Sequence, residues 1–142
     1  MRKLLYILIV IGVLVLPVRP TDVGELEPIQ AVWLSSKNGT VTLETDTEDK
    51  GTGKTVAEAL EDMKRSSPGI VYLDTAQFLL VSENAVERIP EIQLYLKDAV
   101  QICLWEGKAS VADAAAYMQA HKIGVRISRW HTNVKLPNLP LK

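Results

Sequence analysis

An uncharged apolar run from Leu4 to Leu16, directly after Arg2 and Lys3, constrains the fold more than any other feature of this chain. A basic start followed by a short apolar stretch is typical of a secretory signal or a signal anchor. The sequence beyond the run mixes apolar and charged residues and is long enough to bury a core. We therefore expect a signal or anchor segment, a linker, a single domain and an extended tail, at residues 1–20, 21–28, 29–134 and 135–142.

The leader is compatible with more than one fate. As a helix, the apolar run would rise by about 20 Å if it ends at Leu16 and by about 23 Å if it ends at Val18. Both lengths are less than a hydrocarbon core of about 30 Å. The small residues that mark a cleavage site are missing from residues 17–21. This favours a slightly short, uncleaved membrane anchor over a removed signal peptide, and a buried core helix is a third alternative. Positive charge before the run predicts an extracytoplasmic body.

The composition excludes several classes of protein. Three of the 16 basic residues lie in the first twenty residues, which carry no acid, so the rest of the chain holds 13 basic and 17 acidic residues, a net charge of −4. That sign argues against a nucleic-acid partner. Cys103 is the single cysteine, and His121 and His131 are the two histidines. We therefore expect no disulfide framework, no metal site and no cofactor.

The first half of the body predicts a hairpin followed by a helix. The Asn-Gly pair at 38–39 favours a tight turn, and the alternating residues 40–45 would pair with residues 29–35. Thr55 and Glu58 have the spacing of a capping box, in which each side chain satisfies a free backbone amide. The helix behind this cap would bury a stripe formed by Val56, Leu60 and Met63.

The next stretch predicts shorter elements. Residues 70–73 and 77–81 are rich in β-formers and would form two strands or one bulged strand. A helix capped by Ser82 or Asn84 would follow. Pro90 would then begin a further helical segment, because its missing N–H costs nothing in a first turn.

The last part of the body predicts a strand, a helix and a final strand. Residues 99–105 have the apolar character of a core strand, and Ser110 with Asp113 caps the helix that follows. Gly124 would end that helix before a strand at Val125 and Ile127. The order of elements predicts an α+β (α/β-like) fold, in which a mixed β-sheet is packed by about three helices and preceded by an N-terminal hydrophobic helix.

A glycine-rich stretch matches a phosphate-binding loop only in part. Gly51, Gly53 and Lys54 stand before a threonine, but Glu48 occupies the position of the first glycine that such a loop requires. Neighbouring acids would also repel phosphate oxygens. We expect residues 46–53 to be a flexible loop before a capped helix, with nucleotide binding as the less favoured alternative.

Cys103 and His121 are the residue types of a nucleophilic pair. Cys103 lies in an apolar strand pattern, however, where a free cysteine is usually a small buried residue. His121 lies at the expected end of a helix, where a cation favours the helix dipole. We therefore expect no catalytic residue and a protein that is not an enzyme.

A basic and aromatic cluster near the C-terminus is the candidate partner contact. It would bind an anionic headgroup or the acidic patch of a partner. The alternative is a solvated strand edge with one packed tryptophan. The cluster consists of Arg126, Arg129, Trp130 and His131.

Several short motifs follow one another along the body. In order they are Thr55-Val56-Ala57-Glu58-Ala59-Leu60, Tyr72-Leu73-Asp74-Thr75-Ala76 before an apolar strand, Glu83-Asn84-Ala85-Val86, Tyr95-Leu96-Lys97-Asp98, and the apolar residues 102–107 before Lys108-Ala109. Over residues 29–120 this order resembles the N-terminal domain of the Ger(x)C proteins, the C subunits of spore germinant receptors.

The resemblance implies a non-enzymatic, extracytoplasmic domain that is held at a membrane from Leu4 to Val18. Such a protein would act in spore germination through contacts with other germinant receptor subunits. The lipid-attachment cysteine of the family is absent, Leu73-Asp74-Thr75 replaces an expected glycine and histidine, and the later domains are missing. This indicates a stand-alone or truncated relative. A secreted small-ligand or envelope-binding module unrelated to spores is the alternative.

Overall fold

The computed structural model describes residues 2–15 and 28–140. A six-stranded mixed sheet dominates it, and the expected α+β class is confirmed. Within these described residues, 3₁₀ segments lie at Leu73–Thr75, Glu83–Arg88 and Ile127–Arg129. In chain order the helices and strands are α1 (Arg2–Val15), β1 (Ala31–Lys37), β2 (Thr40–Thr45), β3 (Lys50–Gly53), α2 (Val56–Ser66), β4 (Phe78–Val81), α3 (Ile89–Gln93), β5 (Gln101–Leu104), α4 (Val111–His121) and β6 (Val125–Arg126).

The strands lie in the order β3-β2-β1-β4-β5-β6. β1 pairs with β4 and β4 pairs with β5 in parallel, and the other three pairings are antiparallel. Because β1, β4 and β5 are parallel, their first residues all lie at the same end of the sheet, which we call the amino end. Their last residues lie at the opposite end, which we call the carboxyl end.

The predicted β1–β2 hairpin is confirmed. Asn38 and Gly39 have φ angles of 52° and 78°, the positive values that a type I′ turn requires at both central residues. The turn sets Leu34 opposite Leu43, and both side chains are fully buried. The alternation of the hairpin therefore places one apolar face against the core.

The prediction of a loop over 46–53 is wrong for its second half, which forms the edge strand β3. Glycine disfavours strands in general, so the pattern gave no strand signal. Here α2 packs directly on the strand. A Cβ added to Gly51 would lie 2.1 Å from the Ala59 carbonyl oxygen, and one added to Gly53 would lie 2.5 Å from the Glu58 Cβ. The glycines allow this close approach.

The cap of α2 is confirmed, and the helix also covers the outer edge of β3. Thr55 accepts a hydrogen bond from the Glu58 amide at 3.2 Å, and Glu58 in turn accepts one from the Lys54 amide at 2.8 Å. The Thr52 amide donates to Asp62 Oδ2 at 2.9 Å. The carbonyl of residue 50 accepts from the Ser66 hydroxyl at 3.2 Å. Side chains of α2 therefore occupy backbone groups that an edge strand would otherwise expose.

Apolar residues cover both faces of the sheet. Strand alternation sends Val32, Leu79 and Ile102 to one face, where α2, the 3₁₀ segment Glu83–Arg88 and α3 cover them. The opposite face is covered by α4. Its core consists of Ala31, Phe78, Leu80, Cys103, Trp105, Val111, Ala114, Ala115, Met118 and Leu139.

Several expectations for the segment before β5 need correction. Residues 70–73 form no strand and instead lead into the 3₁₀ segment Leu73–Thr75. Only the second of the two expected β runs therefore forms a strand, which is β4. The expected helix after β4 is a 3₁₀ segment, and the Ser82 side chain makes no capping hydrogen bond to it. Pro90 lies in the first turn of α3 as expected, although the helix begins one residue earlier, at Ile89.

The strand, helix and final strand predicted for the last part of the body are all present, but the helix α4 and the strand β6 end at other residues than expected. Ser110 caps α4 by accepting from the Asp113 amide at 3.1 Å. Lys122, with a φ of 51°, ends this helix rather than Gly124. The final strand stops at Arg126, because Ile127 already belongs to a 3₁₀ turn.

The extended tail is attached to β5 over its described part. The Leu104 amide donates to the Pro137 carbonyl, the Leu139 amide donates to the Leu104 carbonyl, and both distances are 2.8 Å. Leu136 and Leu139 are buried. The tail therefore contributes to both the sheet and the core.

Helix α1 has 14 residues, and its apolar side chains from Leu4 to Ile11 are between 53% and 73% exposed. The alternative of a buried core helix is therefore wrong. The expectation of a hydrophobic helix that crosses a membrane is not supported: within residues 2–15 and 28–140, no helix has both the length and the apolar character that a crossing requires. Residues 16–18 of the expected anchor, the linker 21–28 except its last residue, and residues 141–142 lie outside the described part.

Candidate functional site

The predicted contact cluster lies at the amino end of the sheet. Arg126 ends β6 opposite Gln101, the first residue of β5, and the Ile127 amide donates to the Val100 carbonyl at 2.8 Å. Arg126, Arg129 and His131 are exposed. Since these side chains face solvent, the structure leaves them accessible to a partner.

Trp130 differs from the other members of the cluster because it is half-buried. Its ring packs against the core that α2 and α3 cover, and its indole N–H has no hydrogen-bond acceptor among the described residues. Trp130 therefore fixes the backbone of the cluster, and the exposed side chains of Arg126, Arg129 and His131 are the ones that a partner could contact. This is the arrangement of a solvated strand edge with one packed tryptophan.

A cleft of about 590 Å³ opens beside this cluster, between the starts of β4 and β5. Asp74, Gln77, Lys97 and Gln101 supply its polar lining, and Val100 supplies part of its apolar lining. The cleft thus carries one acid and one base of opposite charge rather than a pair of carboxylates. Such a lining can bind a polar group through its charged and amide side chains.

A second group of side chains at the carboxyl end of the sheet was missed by sequence reasoning. Trp33 and Trp105 meet edge to face, with ring centroids 5.4 Å apart. Gly107, with a φ of 75°, lets the chain pass close to the Trp33 ring, where an added Cβ would lie only 2.6 Å from ring atoms. Trp33 lies in β1 and Trp105 directly follows β5, so the two residues are far apart in sequence and no local motif signals their contact.

This second group contains polar atoms without partners. Within the described residues, Trp33 Nε1, Trp105 Nε1 and Ser82 Oγ are buried and make no hydrogen bond. A cleft of about 370 Å³ adjoins Trp105, and Glu83 and Glu106 lie at its rim. The Glu83 amide donates a hydrogen bond to Glu106 Oε1 at 3.2 Å. Unsatisfied buried groups of this kind cost free energy, and a ligand or water that accepts from them would recover it.

The glycine-rich stretch does not form a phosphate-binding loop. Gly51 and Gly53 lie in a strand under α2, where their missing side chains serve helix packing. The Thr52 and Lys54 amides already donate to the carboxylates of Asp62 and Glu58. These amides are therefore occupied by negative groups of the chain itself, and a phosphate would have to displace them.

Cys103 and His121 have separate structural partners. The Cys103 thiol is fully buried, donates to the Pro137 carbonyl at 3.1 Å, and has its pKa raised by burial to about 11. A thiol with so high a pKa is a poor nucleophile at neutral pH. His121 is the exposed last residue of α4 and its ring stacks on Tyr117, with centroids 4.1 Å apart. The interpretation of Cys103 as a core thiol is confirmed.

One carboxylate with a shifted pKa joins two helices. Arg88 donates to Glu91 at 2.7 Å, and the Val56 amide at the start of α2 donates to the same carboxyl group at 3.2 Å. The hydrogen bond from Arg88 is the main cause that lowers the pKa of Glu91. Glu91 therefore fixes α3 against the start of α2 and is a structural residue.

Comparison with known proteins identifies no relative. No family model matches the chain, and no curated protein and no solved structure matches it significantly. Within residues 2–15 and 28–140, no three histidine, cysteine or acidic side chains are grouped so that they could hold a metal ion.

Proposed function

We propose that this protein is a non-enzymatic, membrane-tethered, extracytoplasmic domain that acts through protein–protein contacts in spore germination. In this proposal it resembles the first domain of a germinant receptor C subunit. The single observation that carries the tether is α1, whose consecutive apolar side chains remain exposed although the body has a complete core. Exposed apolar surface of this extent marks a membrane or protein contact.

The family part of the proposal rests on the order of motifs. Thr55 and Glu58 cap the helix that opens the series, and the segment from Tyr72 to Ala76 leads into the fully buried strand β4. The last apolar motif coincides with β5, which is followed by α4. The motifs therefore occupy structural positions that a family of domains would need to keep.

The partner contact in this proposal is made by Arg126, Arg129 and His131, supported from below by Trp130. These residues are at the amino end of the sheet, where the chain arrives from α1 at residue 28. A membrane-embedded partner subunit with acidic groups near the lipid surface would complement them. No cofactor or metal takes part in this contact.

The tether is tested by sedimenting the full chain with phosphatidylcholine vesicles. We expect the chain to sediment with the vesicles, and the double variant Leu8→Asp/Ile11→Asp to remain in the supernatant, because charges on α1 oppose burial in lipid. Thr40→Asp, at an exposed position of the hairpin, is the matched control and should sediment like the parent chain. Equal sedimentation of all three chains would refute the tether.

The compartment and the biological role need a cellular experiment. Fractionation of sporulating cells, together with the N-terminal mass of the mature chain, reports the compartment and any cleavage of the leader. Deletion of the gene should slow germination of otherwise normal spores. A cytoplasmic, freely soluble product would refute the proposal, and absence from the forespore would refute the role in germination.

A secreted small-ligand module is the second candidate, and the carboxyl-end cleft is the observation that favours it. Trp105 lines that cleft, and its indole N–H has no hydrogen-bond partner among the described residues. Ser82, whose hydroxyl likewise lacks a partner in the described part, directly precedes Glu83 at the rim. If this function were correct, a small polar compound would raise the melting temperature of the chain. Trp105→Phe would abolish that rise, whereas Tyr117→Phe, on α4, would leave it unchanged.

A further inference from the structure

The exposed large apolar side chains of the body are confined to two segments. Among the described residues 28–140 they are Ile70, Tyr72, Leu94 and Tyr95, with exposed fractions of 51%, 49%, 83% and 37%. The first two precede β4 and the last two follow α3. Every other large apolar residue in this range is buried or of intermediate exposure. The exposed apolar surface of the body is therefore concentrated in these two pairs of side chains, as expected of a contact surface.

Both segments flank the cleft at the amino end of the sheet. Asp74, two residues after Tyr72, and Lys97, two residues after Tyr95, both line the cleft. The neighbours Val71, Leu73 and Leu96 are buried in the core, so they anchor the segments from which the apolar side chains protrude. The exposed side chains are therefore held in position by packed neighbours.

The polypeptide from α1 reaches the body at this same end. The Ile29 carbonyl accepts from the Thr75 hydroxyl at 2.9 Å, and the Gln30 carbonyl accepts from the Gln77 amide at 2.8 Å. Residues 16–27 separate α1 from the described body, and twelve residues span at most about 40 Å. If α1 is held at a bilayer, the amino end of the sheet is the end from which the tether leaves.

We propose that the amino end of the sheet docks on the lipid surface, with Ile70, Tyr72, Leu94 and Tyr95 in the boundary between headgroups and acyl chains. This inference rests on the membrane tether proposed above. We call the pair Ile70 and Tyr72 and the pair Leu94 and Tyr95 the two loop tips. Two apolar loop tips that flank a polar cleft fit a planar boundary, whereas a protein partner usually meets a continuous apolar patch. Tyrosine suits this depth because its ring is apolar and its hydroxyl remains hydrated.

The charges around the tips indicate which lipids are needed. The basic side chains Lys97, Arg126 and Arg129 lie at this end. The acidic side chains Asp74, Asp98 and Asp46 lie there as well, and Asp46 accepts a hydrogen bond from the Gln30 amide. Because opposite charges accompany one another, apolar burial supplies the attraction, and anionic lipid is not required. Docking should therefore occur on zwitterionic phosphatidylcholine and depend little on salt.

Quenching of a site-specific fluorophore tests this inference in the full chain. An environment-sensitive label is attached to Leu94→Cys and, as the matched control, to Lys37→Cys at the carboxyl end of β1. Cys103 is buried and should not be labelled. On vesicles with brominated acyl chains, we expect at least about twofold quenching at position 94 and none at position 37, because only an interfacial group meets the bromines.

A second variant tests whether the loop tip at Ile70 and Tyr72 contributes to docking on the lipid surface. Ile70→Ser/Tyr72→Ser should weaken quenching at position 94 while the chain still sediments with vesicles through α1. Lys108→Ser, at the carboxyl-end cleft, should leave the quenching unchanged.

The outcomes separate this inference from the proposed function. Sedimentation without quenching at position 94, or with equal quenching at both positions, would overturn the docking and leave the tether intact. Protection of position 94 only when membrane protein subunits are present would overturn it in favour of a protein partner. A chain that does not sediment with vesicles would refute the tether and the docking together.

Discussion

The substitution Gly51→Ala tests the packing of α2 on the edge strand. An added Cβ would lie 2.1 Å from the Ala59 carbonyl oxygen and 2.5 Å from the Met63 amide nitrogen, whereas ordinary contacts begin at 3.4 Å. The helix would have to retreat by roughly 1.3 Å, because the clashing atoms are backbone atoms that cannot rotate away. Ala59 and Met63 are fully buried, so this retreat would open the core beneath them.

The expected cost follows from these two effects. Overpacking costs about 1–3 kcal/mol, and lost packing around a buried side chain such as that of Met63 costs about 2–5 kcal/mol when it is complete. We expect Gly51→Ala to lower the free energy of unfolding by about 3 kcal/mol or more. At a denaturant slope of about 1–3 kcal/mol/M, the urea midpoint would fall by roughly 1–3 M.

The matched control is Thr52→Ala, one residue along the same strand. Its side chain is exposed and points to the other face, and its amide would still donate to Asp62, so the change should stay within about 1 kcal/mol. Urea unfolding followed by tryptophan fluorescence measures both variants. If Gly51→Ala and Thr52→Ala unfolded at the same midpoint, the close packing of α2 on β3 would be refuted.

Three further predictions concern buried or ion-paired groups. Ser82→Ala removes a buried hydroxyl that has no partner among the described residues, so urea unfolding should show unchanged stability or a gain of up to about 1 kcal/mol. Cys103, whose pKa burial raises to about 11, should resist thiol reagents at pH 8 in the folded chain, and stability should fall between about pH 9 and 11 because the folded pKa exceeds the unfolded one. Glu91→Gln should lower the stability at pH 7 by less than about 1 kcal/mol, since Arg88 lowers the pKa of a partly exposed Glu91. The difference should shrink as the pH falls below the unfolded pKa of about 4.5, and it should vanish only below the lowered folded pKa.

Each of these predictions has a result that contradicts it. A loss of about 1 kcal/mol in Ser82→Ala would indicate the capping role that the sequence suggested. Rapid labelling of Cys103 in the folded chain would indicate an accessible thiolate. A stability difference for Glu91→Gln that does not shrink between pH 7 and pH 3 would mean that packing, and not charge, holds the two helices together.

Local signals predicted the elements whose causes are local. The Asn-Gly turn set the hairpin, and Thr55 and Ser110 marked the starts of the two longest helices of the body. In each case a few adjacent residues satisfy backbone groups or fix φ, so the neighbourhood in sequence is sufficient.

Elements that depend on distant contacts were not predictable in the same way. β3 contains two glycines and becomes a strand because β2 pairs with it and α2 packs on it. Residues 70–73 have the β-branched and aromatic character of a strand, but Val71 and Leu73 instead anchor a loop in the core. Propensity describes a residue alone, and tertiary pairing overrides it at both places.

The candidate site shows the same division. The cluster from Arg126 to His131 was visible in sequence because its members are adjacent, and the packed role of Trp130 was one of its two predicted forms. The contact of Trp33 with Trp105 and the exposed tips at Tyr72 and Leu94 depend on which segments the sheet brings together. Sequence spacing does not encode that juxtaposition.

The cover on the outer strands limits how two copies of this chain could associate. On one side, Asp62 and Ser66 occupy backbone groups of the outer strand β3. On the other side, the short outer strand β6 covers only the first half of β5, and the segment from Pro137 to Leu139 is bonded to the remaining half at Leu104. A tether would confine many copies to a thin layer, where collisions between sheets are frequent and ribbon-like polymerisation is the usual hazard. With these backbone groups occupied, crowded copies should remain separate units that recognise one another only through side chains.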